Sequence, residues 1–402
     1  WRVTHEKFME KVRFLNDLKL KLSWGRNGNQ GIDPYGTLSE AVIGPGGGIA
    51  YPFGNSTVPS FGIKQNSLGN SGLGWETTNS WNFGFESAWL NNRLFVNMDV
   101  YLSRTTDQIF NRTIPSMTGF DSMKSTMGEV ANRGVEFSIH SVNIENKDWR
   151  WDTNLTFWLN RNELVHLYGE DLDGDGREDD DLGNNLFIGH SIHSIYGYKV
   201  AGIVQKDDTE YIQANGATPG NPKYVDVDGN GTIGVEDRTI LGTSDPRFKM
   251  SLSNTLSWKN FELYFMLTGT FGGNGYYVSE NAPAFLAGGG GGGAYSNNMY
   301  IPYWTEERPS NKYPAANFSG DGRFKGLQSR AFVRLQDITL SYTFNSAKIK
   351  NFGINNLRVF FTGKNLFTIT GWENGDPELG NTILSSTYPI STNLSLGANI
   401  SF

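Results

Sequence analysis

The carboxyl-terminal stretch Ile390–Ser391–Thr392–Asn393–Leu394–Ser395–Leu396–Gly397–Ala398–Asn399–Ile400–Ser401–Phe402 decides how the rest of the chain is read. Taken two residues at a time, Ile390, Thr392, Leu394, Leu396, Ala398, Ile400 and Phe402 fall on one face. Ser391, Asn393, Ser395, Gly397, Asn399 and Ser401 fall on the other. Side chains alternate across a strand, so this is a strand with one apolar and one small, polar face. A soluble sandwich could supply it. So could a transmembrane β-barrel, with the apolar face on lipid and the polar face on the lumen.

Working back from this stretch, the same alternation recurs nine times. It runs through Leu18–Gly25, Trp81–Trp89, Leu94–Ser103, Val135–His140, Trp149–Asn160, Phe248–Trp258, Phe261–Thr268, Ile338–Phe344 (entered through Phe332–Leu335) and Leu357–Lys364. A phase slip near Asp337 suggests a bulge. Short polar turns at Asn91–Arg93, Asn143–Asp148 and Lys259–Asn260 join some of these runs, as in hairpins. Ala347–Lys350 would hold one helical turn in another short connection, and residues 1–16 read as a short helical or irregular entry. Long polar connections separate the remaining runs: to residue 78, about thirty residues before Val135, then 161–246, 272–330 and 371–388. Long and short connections alternate, so the long loops gather at one end and the short turns at the other. Transmembrane barrels have this asymmetry, with long loops outside and short turns on the periplasmic side. The expected fold is therefore an all-β, antiparallel transmembrane barrel of about ten strands in this chain, with long extracellular loops.

Bulk composition agrees. Hydrophobic residues make up 38% of the 402, and no apolar run is long enough for a membrane-crossing helix, which leaves half-apolar barrel strands open. Aromatic content is 13%, with 11 Trp and 17 Tyr, and 49 Gly suit girdled strands and irregular loops. The net charge of −7 and the lack of a basic run argue against a nucleic-acid partner. With no Cys there are no disulfides or thiolate metal sites. The chain opens on Trp1 without a targeting segment, so it reads as a fragment of a longer protein.

The sharpest local motif is Asp226–Val–Asp–Gly–Asn–Gly–Thr–Ile–Gly–Val–Glu–Asp237. Side-chain oxygens at Asp226, Asp228 and Asn230, the Thr232 carbonyl and the Asp237 carboxylate have the spacing of an EF-type calcium loop, which gathers six to eight hard oxygens round one ion. Asp237 is shorter than the Glu usual there, and an ion-free polar turn fits the same residues. A second loop carries Asp171, Asp173, Asp175 and Asp179, but its twelfth position is Leu182, so the closing ligand is missing there. The alternative is a solvated charge run. Both loops lie in one long outward segment, where an ion would be a staple rather than a catalytic metal. Catalysis finds little support: no nucleophile elbow or phosphate loop occurs, and the six glycines Gly288–Gly293 lack the Lys and Ser/Thr of one. Glu86, Asp99, Glu136, Asp152, Glu262, Arg358 and Lys364 fall on polar strand faces and suit a solvated channel wall. The loop aromatics Tyr276, Tyr277, Tyr303 and Trp304 could stack on sugars or grip peptides, or pack loop against loop.

Several segments together resemble SusC/RagA-like TonB-linked outer-membrane proteins. They are Leu18–Lys21 with Gly28–Gln30, Leu73–Thr78, Asn132–Glu136, Asp226–Gly242 with its Asp237–Gly242 run, Phe332–Tyr342, Gly363–Thr368 and Asp376–Glu378, together with the terminal Phe402. The resemblance implies a plugged barrel of about 22 strands, of which residues 1–402 would be the carboxyl-terminal part, without plug, TonB box or early strands. It implies active import of large nutrients across the bacterial outer membrane, mostly glycans and sometimes oligopeptides. It implies a SusD-like surface lipoprotein as lid, energy from TonB–ExbBD, contact with bilayer and lipopolysaccharide, and a possible dimer of the two-protein complex. It also makes Phe402 a signal to the barrel-assembly machinery. A glycan-binding adhesin without transport and a soluble secreted β enzyme remain the competing readings.

Overall fold

The computed structural model describes residues 1–32, 34–44, 50–51, 60–276, 302–318, 323–324, 326–344, 353–373, 376–378 and 390–402. Ten long strands form one antiparallel sheet in which each pairs with its neighbour in sequence. They are β1 (Leu15–Asn29), β2 (Glu76–Trp89), β3 (Leu94–Thr113), β4 (Ser122–Glu145), β5 (Trp149–His166), β6 (Phe248–Trp258), β7 (Phe261–Phe271), β8 (Phe332–Phe344), β9 (Asn356–Thr370) and β10 (Asn393–Ser401). All ten expected strands are present. The register keeps apolar positions opposite apolar positions: Trp24 faces Trp81, Phe83 faces Val100, Phe137 faces Phe157 and Leu252 faces Leu267. Directly opposed residues share a face, so a one-residue slip in any strand would scramble it. The expected bulge is present, with the register shifting between Leu335 and Asp337.

The apolar face is not a protein core. Leu396 on β10 is 77% exposed, and Leu22, Phe83, Leu340 and Phe361 on the same face of other strands are exposed too. In a soluble sandwich this face would pack on a second sheet. Here the fully buried leucine, isoleucine and valine side chains, Leu164, Leu167, Ile203 and Val204, lie at the outward end of β5 or beyond it. The apolar face is therefore the lipid-facing wall of a barrel. No helix among the described residues is long and apolar enough to cross a membrane.

Two aromatic girdles bound this wall. At the short-turn end, Trp149 stacks on Trp258, Trp258 on Phe261, and Phe261 meets Tyr342. At the other end Trp24 meets Trp81, and Phe248 stacks on Phe271 with centroids 4.5 Å apart. On β6 the girdles are Phe248 and Trp258, the two ends of an 11-residue strand. Ten steps of about 3.4 Å at a tilt of roughly 40° give a band about 26 Å tall, the height of an outer-membrane apolar belt.

The connections differ from the expected alternation in one place. Instead of a loop of about thirty residues between β3 and β4, the strands continue to Thr113 and resume at Ser122, leaving only 114–121. β3 and β4 are 20 and 24 residues long, so they rise well beyond the apolar belt. Above the belt both faces meet water or protein, the alternation of polarity ends, and the ladder goes on without it. The inward connection 345–355 is longer than this outward one, so strand overshoot, not loop length alone, distinguishes the two ends. The turn expected at Ala347–Lys350 and the glycines Gly288–Gly293 lie outside the described residues.

The 167–247 segment is folded rather than a bare loop. It holds the helix α1 (Thr209–Asn215) and two small sheets, Ser194–Tyr198 with Arg238–Thr243 and Val200–Ile203 with Pro222–Tyr224. Tyr224, Tyr313, Phe318, Phe324 and Trp372 form its main buried cluster, drawing residues from three outward segments.

Candidate functional site

The polar wall is a ladder of ion pairs. Lys21 Nζ lies 3.0 Å from Asp99 and 3.4 Å from Glu86, and Lys19 lies 3.3 Å from Glu86. Arg150 donates to Asp152 at 2.7 Å, and Arg358 donates to Glu262 at 2.6 Å and to Ser341 at 3.0 Å. Lys364 approaches Asp337 at 4.0 Å. Six of the seven charged residues expected on this wall thus sit in ion pairs on it, five of them between strands and Asp152 with Arg150 along one strand. Glu136 instead lines a cavity of about 500 Å3 with Asp99, Thr156, Trp158, Lys249 and Glu378. Such exposed pairs contribute little stability. Their effect is to keep the face wet and nearly neutral.

The two acidic loops share one hydrogen-bond scheme. Asp226 Oδ1 accepts from the Gly229 N–H and Oδ2 from Gly231, both at 2.7 Å; Asp171 accepts from Gly174 at 2.8 Å and Gly176 at 3.0 Å. Asp228 accepts from Asn230 N–H and Asp173 from Asp175 N–H, each at 3.0 Å. Asn230 and Asp175 accept from Thr232 and Arg177 N–H, each at 2.8 Å. Gly229 and Gly174 both take φ of 76°, a left-handed turn that favours glycine and folds the acids inward.

The closures differ. Asp237 is 0% exposed and accepts from Val227 N–H at 2.6 Å and Gly234 N–H at 2.7 Å. The Gly234 and Val227 N–H groups outweigh desolvation and hold its carboxyl below the usual Asp range. In the first loop Asp179 does this work from the ninth position, accepting from Leu172 N–H at 2.6 Å. The missing twelfth residue is thus replaced by a shorter closure, and Leu182 stays exposed. Asp226, Asp228 and Asp237 bring carboxylate oxygens within 4.8 Å of one another, and so do Asp171, Asp173 and Asp179; Asp175 is outside that group. Hard oxygens on a positive-φ glycine turn fit a calcium ion's chemistry.

The loop aromatics fall differently. Trp304, expected as a candidate ligand-facing ring, is 8% exposed, packs with Ile203 and Ala315, and donates its indole N–H to Gln205 at 2.9 Å. Its faces are covered by protein, so it is a packing residue. Tyr303 packs against the main loop cluster, and burial pushes its phenol up. Tyr276 ends the short strand Asn274–Tyr276, and Tyr277 lies outside the described residues. The chain reaches its end with Phe402 82% exposed beyond β10.

Two arrangements escaped the sequence reading. Arg334, 2% exposed, donates to Asp376 at 2.8 and 2.9 Å, to Thr368 at 2.9 Å, and pairs with Glu378. The pairing fastens the last outward segment to β8. Both partners stood in quoted motifs, but no spacing links residues this far apart. Ser191, His193 and Asp245 also meet. Here Ser191 and His193 both bind Asp245, at 2.5 and 2.8 Å, so the imidazole is not placed to take the serine proton.

Residues 11–366 match the family described as TonB dependent receptor-like, beta-barrel. The whole chain is 31% identical, over 431 residues, to the TonB-dependent receptor P26 of Formosa agariphila. It is 30% identical, over 418 residues, to the TonB-dependent receptor SusC of Bacteroides thetaiotaomicron. It covers 41% and 39% of those proteins, so it spans about two fifths of the curated relatives it matches. A solved structure of the RagAB peptide transporter aligns over all of this chain and 42% of its own, with 25% identity and a TM-score of 0.75. These relatives are receptors and transporters, not enzymes. A family match over most of the length and a girdled, lipid-facing sheet lead to one assignment: the chain belongs to the TonB-dependent receptor β-barrel family, in its SusC/RagA-like group, and supplies strands of an outer-membrane β-barrel.

Proposed function

We propose that this chain forms wall and outward loops of a TonB-dependent importer that brings large nutrients, glycans foremost, across the outer membrane. The polar face carries the reading: ten strands present paired charges and small polar groups along one continuous wall, as a hydrated passage requires. In this proposal a SusD-like lipoprotein closes over the outward loops, and TonB–ExbBD supplies energy through parts of the protein outside these 402 residues. Oligopeptide import is the second reading, favoured by the likeness to a peptide transporter.

The two acidic loops would each hold one structural calcium ion. Asp226, Asp228, Asn230, the Thr232 carbonyl and Asp237 would supply the second loop's ligands, and Asp171, Asp173, Asp175 and Asp179 the first's. The support is the convergence of three carboxylates in each loop.

Uptake tests the transport reading. Cells deleted for the full-length gene, then complemented, would be given fluorescent oligosaccharides and fluorescent oligopeptides. Entry of the sugar only with the intact gene and an energised TonB system is expected. Peptide entry alone would favour the second reading, and surface binding without entry would return the adhesin. Counting per assembled molecule separates Phe402, proposed as an assembly signal: Phe402→Ala should lower the amount in the membrane and leave uptake per molecule unchanged.

A further inference from the structure

Arg26, Arg104, Arg133 and Arg161 are scattered along the sequence, and no basic run joins them. Register brings them together. Leu102 opposes Arg133, and Arg133 opposes Arg161. Arg26 opposes Asn79, and Asn79 opposes Arg104. Opposed residues share a face, and this is the lipid-facing one of Leu102 and Trp81. Two adjacent rows result: Trp24, Trp81, Leu102, Arg133, Arg161, and above it Arg26, Asn79, Arg104, Ala131, Glu163. They cross five strands, a span of about 19 Å at roughly 4.8 Å per strand.

The patch lies level with the outward girdle, where Trp24 meets Trp81. It borders a cavity of about 370 Å3 lined by Trp81, Leu102, Arg104, Arg133, Arg161 and Glu163. Its floor is apolar and its rim basic. Four guanidinium groups face two carboxylates, an excess of two positive charges. Glu129 pairs with Arg104, while Glu163 stands 3.6 Å from Arg133, beyond hydrogen-bond reach. Arg161 donates to the main-chain oxygens of Asn160 and Arg247 at 2.9 and 2.7 Å. Neither Arg161 nor Arg26 has a carboxylate within ion-pair distance among the described residues.

Arginines that merely reach up to interfacial water would be expected at both edges of the belt. At the short-turn edge the same face of β3, β4 and β5 carries Leu94, Ile144, Trp149 and Trp151 instead. The asymmetry points to a ligand in the outer leaflet. An arginine fork matches phosphate oxygens in paired hydrogen bonds, strengthened where water is scarce.

We propose that Arg26, Arg104, Arg133 and Arg161 form a docking site on the lipid-facing wall for the phosphorylated glucosamine headgroup of lipopolysaccharide. The site depends on the outward orientation of this wall and not on what the protein transports.

Native mass spectrometry of the full-length protein in detergent tests it, with bisphosphorylated lipid A, its dephosphorylated form and phosphatidylglycerol as probes. The wild type should hold bisphosphorylated lipid A about tenfold or more tightly than either competitor. Arg133→Gln with Arg161→Gln should bring that preference within about twofold, and the Lys pair at these positions should keep part of it. Lys19→Gln with Lys21→Gln, on the polar wall, should leave it intact. Equal binding of the dephosphorylated lipid, equal binding of phosphatidylglycerol, or an unchanged Gln variant would each overturn the proposal. If the double variant fails to assemble, Arg26→Gln with Arg104→Gln and the wild-type phosphate preference decide it.

Discussion

The loops at 171–179 and 226–237 begin as the same object and end as different ones. Through their first seven positions the side-chain oxygens of Asp226, Asp228 and Asn230, like those of Asp171, Asp173 and Asp175, accept from the matching N–H at nearly the same distance. After that the chains diverge. Asp237 closes the second loop from the twelfth position and is fully buried, while Ile233 packs on the main aromatic cluster and its N–H donates to Asn215 of α1 at 2.7 Å. Asp179 closes the first loop from the ninth position, partly exposed, and the loop hangs on Glu178, which accepts from Leu167 and Gly169 N–H at 2.7 and 2.6 Å. The front half of such a loop is set by glycines and short acids. What it holds together is set by where the next acid lies and what is packed behind it.

The largest contrast should come from removing the closing acids. Asp237→Ala leaves the N–H groups of Val227 and Gly234 without their acceptor in a dry site and takes away a proposed calcium ligand. Amide exchange across 224–242 in the full-length protein should rise more than about a hundredfold. Asp179→Ala opens a wetter closure, and exchange across 167–182 should rise by about tenfold. Equal effects would mean that burial of the closing acid is not what separates the loops.

Calcium removal comes next. With an ion held at about 10 μM affinity, 1 mM calcium protects a loop by roughly a hundredfold, and chelation should cost the 226–237 loop that factor. The 171–179 loop, with a more exposed ligand set, should lose about tenfold. Exchange that ignores both chelation and added calcium would leave the loops as ion-free turns.

How much of this was legible depends on whether a period was present. The ten strands were readable because lipid on one side and water on the other impose a two-residue repeat, as in Leu94–Ser103. Above the belt that constraint ends, so the rise of β3 to Thr113 and the start of β4 at Ser122 left no periodic trace. The acidic loops were readable because glycine must stand where φ is positive. Asp179 was passed over as closure because the twelve-residue spacing was applied to a nine-residue loop. Trp304 had no neighbours in sequence to reveal that Ile203 and Ala315 cover it, and Arg334 no signal pointing to Asp376. The four-arginine patch appears only once register is known.

The smallest effect should be one that does not distinguish the loops. Gly229 and Gly174 share φ of 76°, and no atom lies within 4 Å of where a Cβ would stand on either. An alanine there meets no neighbour, so its whole cost is the left-handed backbone, about 1 kcal/mol or about fivefold in opening. Gly229→Ala and Gly174→Ala should therefore speed exchange of their own loops by the same factor, despite the unequal closures. That equality is what makes the comparison sharp. If Gly229→Ala costs far more, the buried Asp237 closure constrains the front half as well, and the two halves of the loop are one cooperative unit. If Gly174→Ala costs far more, the first loop depends on its turn because its closure holds little.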